Sequence, residues 1–88
     1  MPYIDKNQKR SFEDCIKCFK YLTCTPGELN YVVTSICNCY LRTKGKNYAH
    51  LNDVIGVLEC AKQEMYRRVV APYEDTKMKK NGDVYGER

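Results

Sequence analysis

Apolar residues recur at intervals of three and four in three separate stretches of this 88-residue chain, and that recurrence restricts the fold more than any other feature. Phe12, Cys15, Ile16, Phe19 and Leu22 form the first series. Leu29, Val32, Val33, Ile36 and Tyr40 form the second, and Leu51, Val54, Ile55, Leu58, Ala61, Met65 and Val69 the third. Each series gathers its side chains on one face of a helix, and no stretch alternates long enough to make a half-buried strand. The expected fold is all-α: a compact bundle of three main helices, in a single helical domain over residues 1–88, with an N-terminal arm and a C-terminal short helix and tail.

The punctuation between the series sets the boundaries. Residues 1–10 are polar, with Tyr3 and Ile4 as the only anchors, and read as an extended arm. The first helix is expected over "SFEDCIKCFKYL", with Ser11 as its cap. In "TCTPGELNY", Thr25 can accept from the first-turn amides, Pro26 suits the first helical position and Glu28 can reach back from the third. The second helix therefore starts at Pro26 and runs to about Lys44, where Gly45 supplies a left-handed stop. "HLND" restarts the chain as a third, longest helix, with His50 at the cap and Asp53 three residues on. Pro72 bends or ends it, "PYEDTKMKK" forms a further short helical piece closed by Asn81 and Gly82, and "DVYGER" is a tail.

A domain this small covers only a modest fraction of its surface, so a homo-oligomer is expected. Fifteen Lys plus Arg against eleven Asp plus Glu leave a net charge of +4. That excess suits a phosphate-bearing ligand and falls short of a dedicated nucleic-acid binder, a class for which no motif is present either. No apolar run approaches the ~20 residues of a membrane span, and the opening "MPYIDKNQKR" lacks the apolar centre of a signal peptide. The chain is expected in the cytoplasm, with its six cysteines as reduced thiols.

Lys62 stands out because it falls within the apolar stripe of the third helix. On a wheel of ~100° per residue, Asn52, Glu59, Lys62 and Tyr66 make a polar ridge along one flank of that stripe. Such a ridge can bind a ligand, or it can be a helix surface on which Glu59 and Lys62 satisfy each other. Arg67 falls on the far side and Arg68 on the other edge, where Glu64 is in reach at i,i+4.

The cysteines superficially suggest a metal site. Cys37 and Cys39 lie about 200° apart on a helix and cannot readily share one ion. Cys15 belongs to the apolar stripe as a small hydrophobe, so no metal is expected. His50 reads as a cap rather than a base. Pro2 would be a secondary amine after removal of Met1, as in tautomerases, but the strand that should follow is replaced by "DKNQKR". No nucleophile and base motif or Gly-rich phosphate loop is present, and neither catalytic residues nor a cofactor are expected.

Eight tyrosines without a tryptophan suit base stacking and protein contact equally well. The candidate ligand-binding residues are Asn30, Tyr31, Asn52, Glu59, Lys62, Tyr66 and Arg67. The leading expectation is a non-enzymatic binding protein that holds a nucleotide-like, phosphate-bearing small ligand at an oligomer interface. The alternative is a protein-interaction module that binds and inhibits or adapts a host protein.

The motifs "TPGELNYVVTSI", "GKNYAHLNDVIGVLECAKQEMYRRVVAPYED" and "NGDVY", with the opening "MPYI", resemble a family of small uncharacterised bacterial and phage proteins known only as a domain of unknown function. The resemblance covers most of residues 26–85. It implies a compact helical protein and brings no activity. The family pattern carries a cysteine at Cys60 without requiring Cys15, Cys18, Cys24, Cys37 or Cys39, and often has threonine where His50 stands. Its phage members imply an accessory role.

Overall fold

The computed structural model describes residues 2–22 and 25–86. The order of elements is α1 (Lys6–Leu22), α2 (Pro26–Lys44), α3 (Tyr48–Met65), a π-helical segment (Tyr66–Val70) and α4 (Ala71–Asn81). No strand occurs among the described residues, so the fold is all-α.

Helix α1 begins five residues before Ser11, and the sequence chemistry explains why. Asp5 accepts from the amide of Gln8 at 2.9 Å, and the Gln8 side chain accepts from the amide of Asp5 at 3.2 Å. That reciprocal pair satisfies donors a helix start leaves open. Residues 6–10 are therefore helical, and the arm shrinks to residues 2–5.

Helix α2 starts as its sequence dictates. The Thr25 hydroxyl accepts from the amide of Glu28 at 3.1 Å, the Glu28 carboxylate accepts from the amide of Thr25 at 2.9 Å, and Pro26 fills the first turn. At its end Gly45 has φ 103° and ψ 139°, a positive-φ region open to glycine, though not the left-handed helical one. The cap of α3 is Asn47, which accepts from the amide of His50 at 2.9 Å. His50 instead sits in the first turn and turns its ring back, donating from Nδ1 to the Gly45 carbonyl at 2.8 Å.

Pro72 does not end the third helix. It has no amide to give and would press on the carbonyl four residues back, so the helix widens before it, with the Ala71 amide reaching the Tyr66 carbonyl five residues away. Helices α3, the π segment and α4, of 18, 5 and 11 residues, run on without a break. At ~1.5 Å per residue they make a rod about 51 Å long, close to the 52 Å longest dimension of the molecule. Gly82, with φ 95°, stops it.

Among the described residues the one substantial pairing of separate helices is α2 on α3, joined by a three-residue turn over 45–47. Tyr40 secures the turn. Its hydroxyl donates to Asp53 at 3.3 Å and its ring meets His50 edge-on, with centroids 6.3 Å apart. Helix α1 makes no comparable contact.

These contacts do not close a core. Among the described residues no side chain is fully buried. The radius of gyration is 17.3 Å, where a compact chain of this length has about 12 Å. The accessible surface is 8218 Å², and the usual scaling for 10.3 kDa gives roughly 5,400 Å². The all-α fold expected from the sequence is present, in an extended shape with few contacts between distant positions. The apolar stripe of α1 shows its face openly, with Phe12, Ile16 and Leu22 all more than half exposed.

Candidate functional site

Of the polar ridge, Asn52, Glu59 and Lys62 lie on the regular helix α3, and Tyr66 opens the π-helical segment. Lys62 Nζ meets Glu59 Oε2 at 3.0 Å, and Gln63 donates to the same carboxylate oxygen at 3.1 Å. The hydrogen bond from Lys62, followed by that from Gln63, holds the Glu59 carboxyl below its ordinary value. Lys62 nevertheless keeps 72% of its side chain exposed. The lysine lies on an open helix face beside Leu51, Ile55 and Leu58, all of them exposed.

The remaining ridge residues go separate ways. Tyr66 donates to Glu74 at 2.8 Å, and that bond raises the phenol above its ordinary value. Eight residues apart on an α-helix would mean about 80° around the axis; the widened π turn brings the two side chains closer to one face. Arg67 pairs with Glu64 at 2.6 Å, so the partner of Glu64 is Arg67 and not Arg68. Asn30 accepts from Thr34 within α2 at 3.0 Å, and Tyr31 and Asn52 lie exposed on their helices. Of the seven candidates, only Glu59 and Lys62 form a direct pair.

Glu64 was not among the candidates, yet it is where the arm attaches. Tyr3 donates to Glu64 Oε1 at 2.7 Å, the same atom that accepts from Arg67. The hydrogen bond from Tyr3 and then that from Arg67 hold the carboxyl below its ordinary value, against a partial desolvation that raises it. Sequence spacing offers no signal for a contact made across 61 positions.

Two concavities accompany these contacts. An apolar groove of about 180 Å³ runs between α2 and α3, lined by Ile36, Cys37, Tyr40, Asp53, Val54 and Val57. It is smaller than the ~300 Å³ at which ordinary ligand pockets begin. An open cup of about 500 Å³ lies at the end of the rod, where Tyr66, Glu74, Asp75, Lys77, Asp83 and Tyr85 gather. Three carboxylates against one ammonium make that cup unsuited to phosphate.

Among the described residues no three His, Cys, Asp or Glu side chains come together as a metal site, and the five described cysteines are free thiols. Cys24 lies outside the described residues. No described helix is long and apolar enough to cross a membrane.

Among the described residues, fold and site together make an all-α protein whose helices leave many apolar side chains exposed. Residues 1–84 match the family described as Domain of unknown function (DUF6899), and the chain belongs to that family. The match takes in α1 as well as the motifs of residues 26–84. No curated protein and no solved structure matches it.

Proposed function

We propose that the protein is a non-enzymatic accessory binding protein of bacteria or their phages, and that it works as a contact module, pressing helical faces against another polypeptide. The observation that carries this reading is the open rod. Apolar residues along α3 and α1 stay exposed, and the chain shows about 2,800 Å² more surface than its mass requires. Soluble monomers rarely leave contiguous apolar patches beyond a few hundred Å². On the rod Glu59 pairs with Lys62, Glu64 with Arg67 and Tyr66 with Glu74.

A second reading, a phosphate-bearing small ligand, is favoured by the exposed ammonium of Lys62 with a single carboxylate beside it. Native mass spectrometry of the protein purified from its natural host separates the two. The contact reading expects a stoichiometric polypeptide, either a second copy or another chain. A bare monomer carrying a nucleotide, whose affinity falls in Lys62→Met, would overturn it in favour of the ligand.

A further inference from the structure

The exposed strip of α3 has a stricter order than a helical stripe. Leu51, Ile55, Leu58, Lys62 and Met65 are separated by four, three, four and three residues, and Tyr48 extends the series by three at the front. This is the alternation of a two-helix seam, in which positions a and d of a heptad face a partner helix. Tyr48, Ile55 and Lys62 take position a; Leu51, Leu58 and Met65 take position d. All six are exposed. The face α3 gives to α2 is a different one, carrying Asp53, Val54 and Val57 about 110° around the axis.

The seam also gives the polar ridge a second meaning. Asn52, Glu59 and Tyr66 follow one another at intervals of seven and occupy position e, the column that flanks such a seam and selects its partner. Lys62 is then the one charged residue within the seam, the kind of substitution that fixes register and orientation while lowering stability.

Resting on the contact reading above, the geometry points to a second copy of this chain as the occupant of the seam, in an antiparallel homodimer with Ile55 of each chain packed on the partner's Leu58. In that register Tyr48 meets the partner's Met65, Lys62 meets the partner's Leu51, and Asn52 comes opposite the partner's Glu59, where an amide can donate to a carboxylate. A parallel pair would set Lys62 against the partner's Lys62. An antiparallel pair shifted by one heptad toward the C-terminus would set Glu59 against the partner's Glu59. Both bring like charges together at close range, and the favoured register avoids both.

The area supports the same occupant. An obligate dimer covers roughly 1,000–2,500 Å² on each partner, which is the scale of surface this chain shows in excess. A chain whose described residues include no buried core needs its cover whenever it folds, and a second copy is the polypeptide present at every synthesis.

Sedimentation equilibrium on the full chain and two variants tests the pairing. Ile55 is exposed in the single chain, so Ile55→Asp has no internal packing to break. It is expected to weaken dimerisation by about a hundredfold or more. Lys62→Ile removes the charge from the seam and is expected to tighten dimerisation by about tenfold or more, which a variant that merely misfolds would not do. Register is read by mixing Ile55→Cys with Leu58→Cys, oxidising, and mapping the cross-linked peptides. A bond from 55 to 58 between the two variants is expected; bonds joining 55 to 55 and 58 to 58 would overturn the antiparallel register. A parent that stays monomeric, or dimerises equally well in Ile55→Asp, overturns the self-pairing. If that monomer holds a different polypeptide, the contact reading survives; if it holds none, both fall.

Discussion

Tyr3 and Glu64 share a hydrogen bond of 2.7 Å although 61 positions separate them. The bond ties the beginning of the chain to the middle of its long rod, and Arg67 adds a second donor to the same oxygen at 2.6 Å. Helix α1 is thereby anchored ahead of its first turn by Tyr3.

This latch has a defined pH dependence. Because Tyr3 and Arg67 lower the Glu64 carboxyl from its ordinary 4.5, its stabilising contribution is complete above that value and is lost as the pH falls through the lower folded one. The Tyr3 phenol is shifted the opposite way, raised above 10.0 chiefly by the Glu64 bond, so its contribution is complete below 10.0 and lost as the pH rises beyond it. NMR signals of the Tyr3 ring should hold steady through neutral pH and move below about pH 4.5. Glu64→Gln should remove most of the acid response, and ring signals of the parent that stay fixed down to pH 2 would refute the latch.

Two glycines should respond to alanine in opposite directions. Gly45, at φ 103°, occupies backbone space that a Cβ makes unfavourable, so Gly45→Ala is expected to destabilise by about 1–3 kcal/mol. Gly56 lies within α3, with nothing inside 4 Å of an added Cβ, so Gly56→Ala is expected to stabilise by about 0.5–1 kcal/mol. Denaturant midpoints measured at one protein concentration check both signs.

Pro72 sets the phase of the rod's end. Pro72→Ala restores an amide donor and removes the ring, so the widened turn should relax to α-helix and rotate α4 relative to α3. Tyr66 and Glu74 would then part, and the Tyr66 phenol should titrate closer to its ordinary 10.0. Phenol titration by NMR reads this directly. An unchanged Tyr66 value in the variant would show that proline is not what holds the π turn.

Much of this architecture is legible in the sequence where the chemistry is local. Thr25, Pro26 and Glu28 announce α2 because three neighbouring residues complete the cap among themselves. Asp5 and Gln8 use the same chemistry, but Lys9, Arg10 and Ser11 follow before the first apolar residue, Phe12, so α1 reads as starting at Ser11. His50 reads as the cap of α3, but Asn47 three residues earlier takes that role, because its side-chain oxygen accepts from the amide of His50. The pairing of Glu64 with Arg67 rather than Arg68 is a side-chain choice made where the helix begins to widen, beyond what wheel angles resolve. Compactness is not written in the same local way: periodicity tells which face of a helix is apolar, and says nothing of which chain covers it.

The central claim is that one chain does not close its own core, and the concentration dependence of thermal unfolding tests it most directly. Melting the full chain across a hundredfold range of concentration, roughly 1–100 µM, should give a midpoint that climbs steadily with concentration, because folded structure and association are one equilibrium. A sharp, reversible transition whose midpoint stays constant over that range, in a protein that sediments as a monomer throughout, would contradict the account.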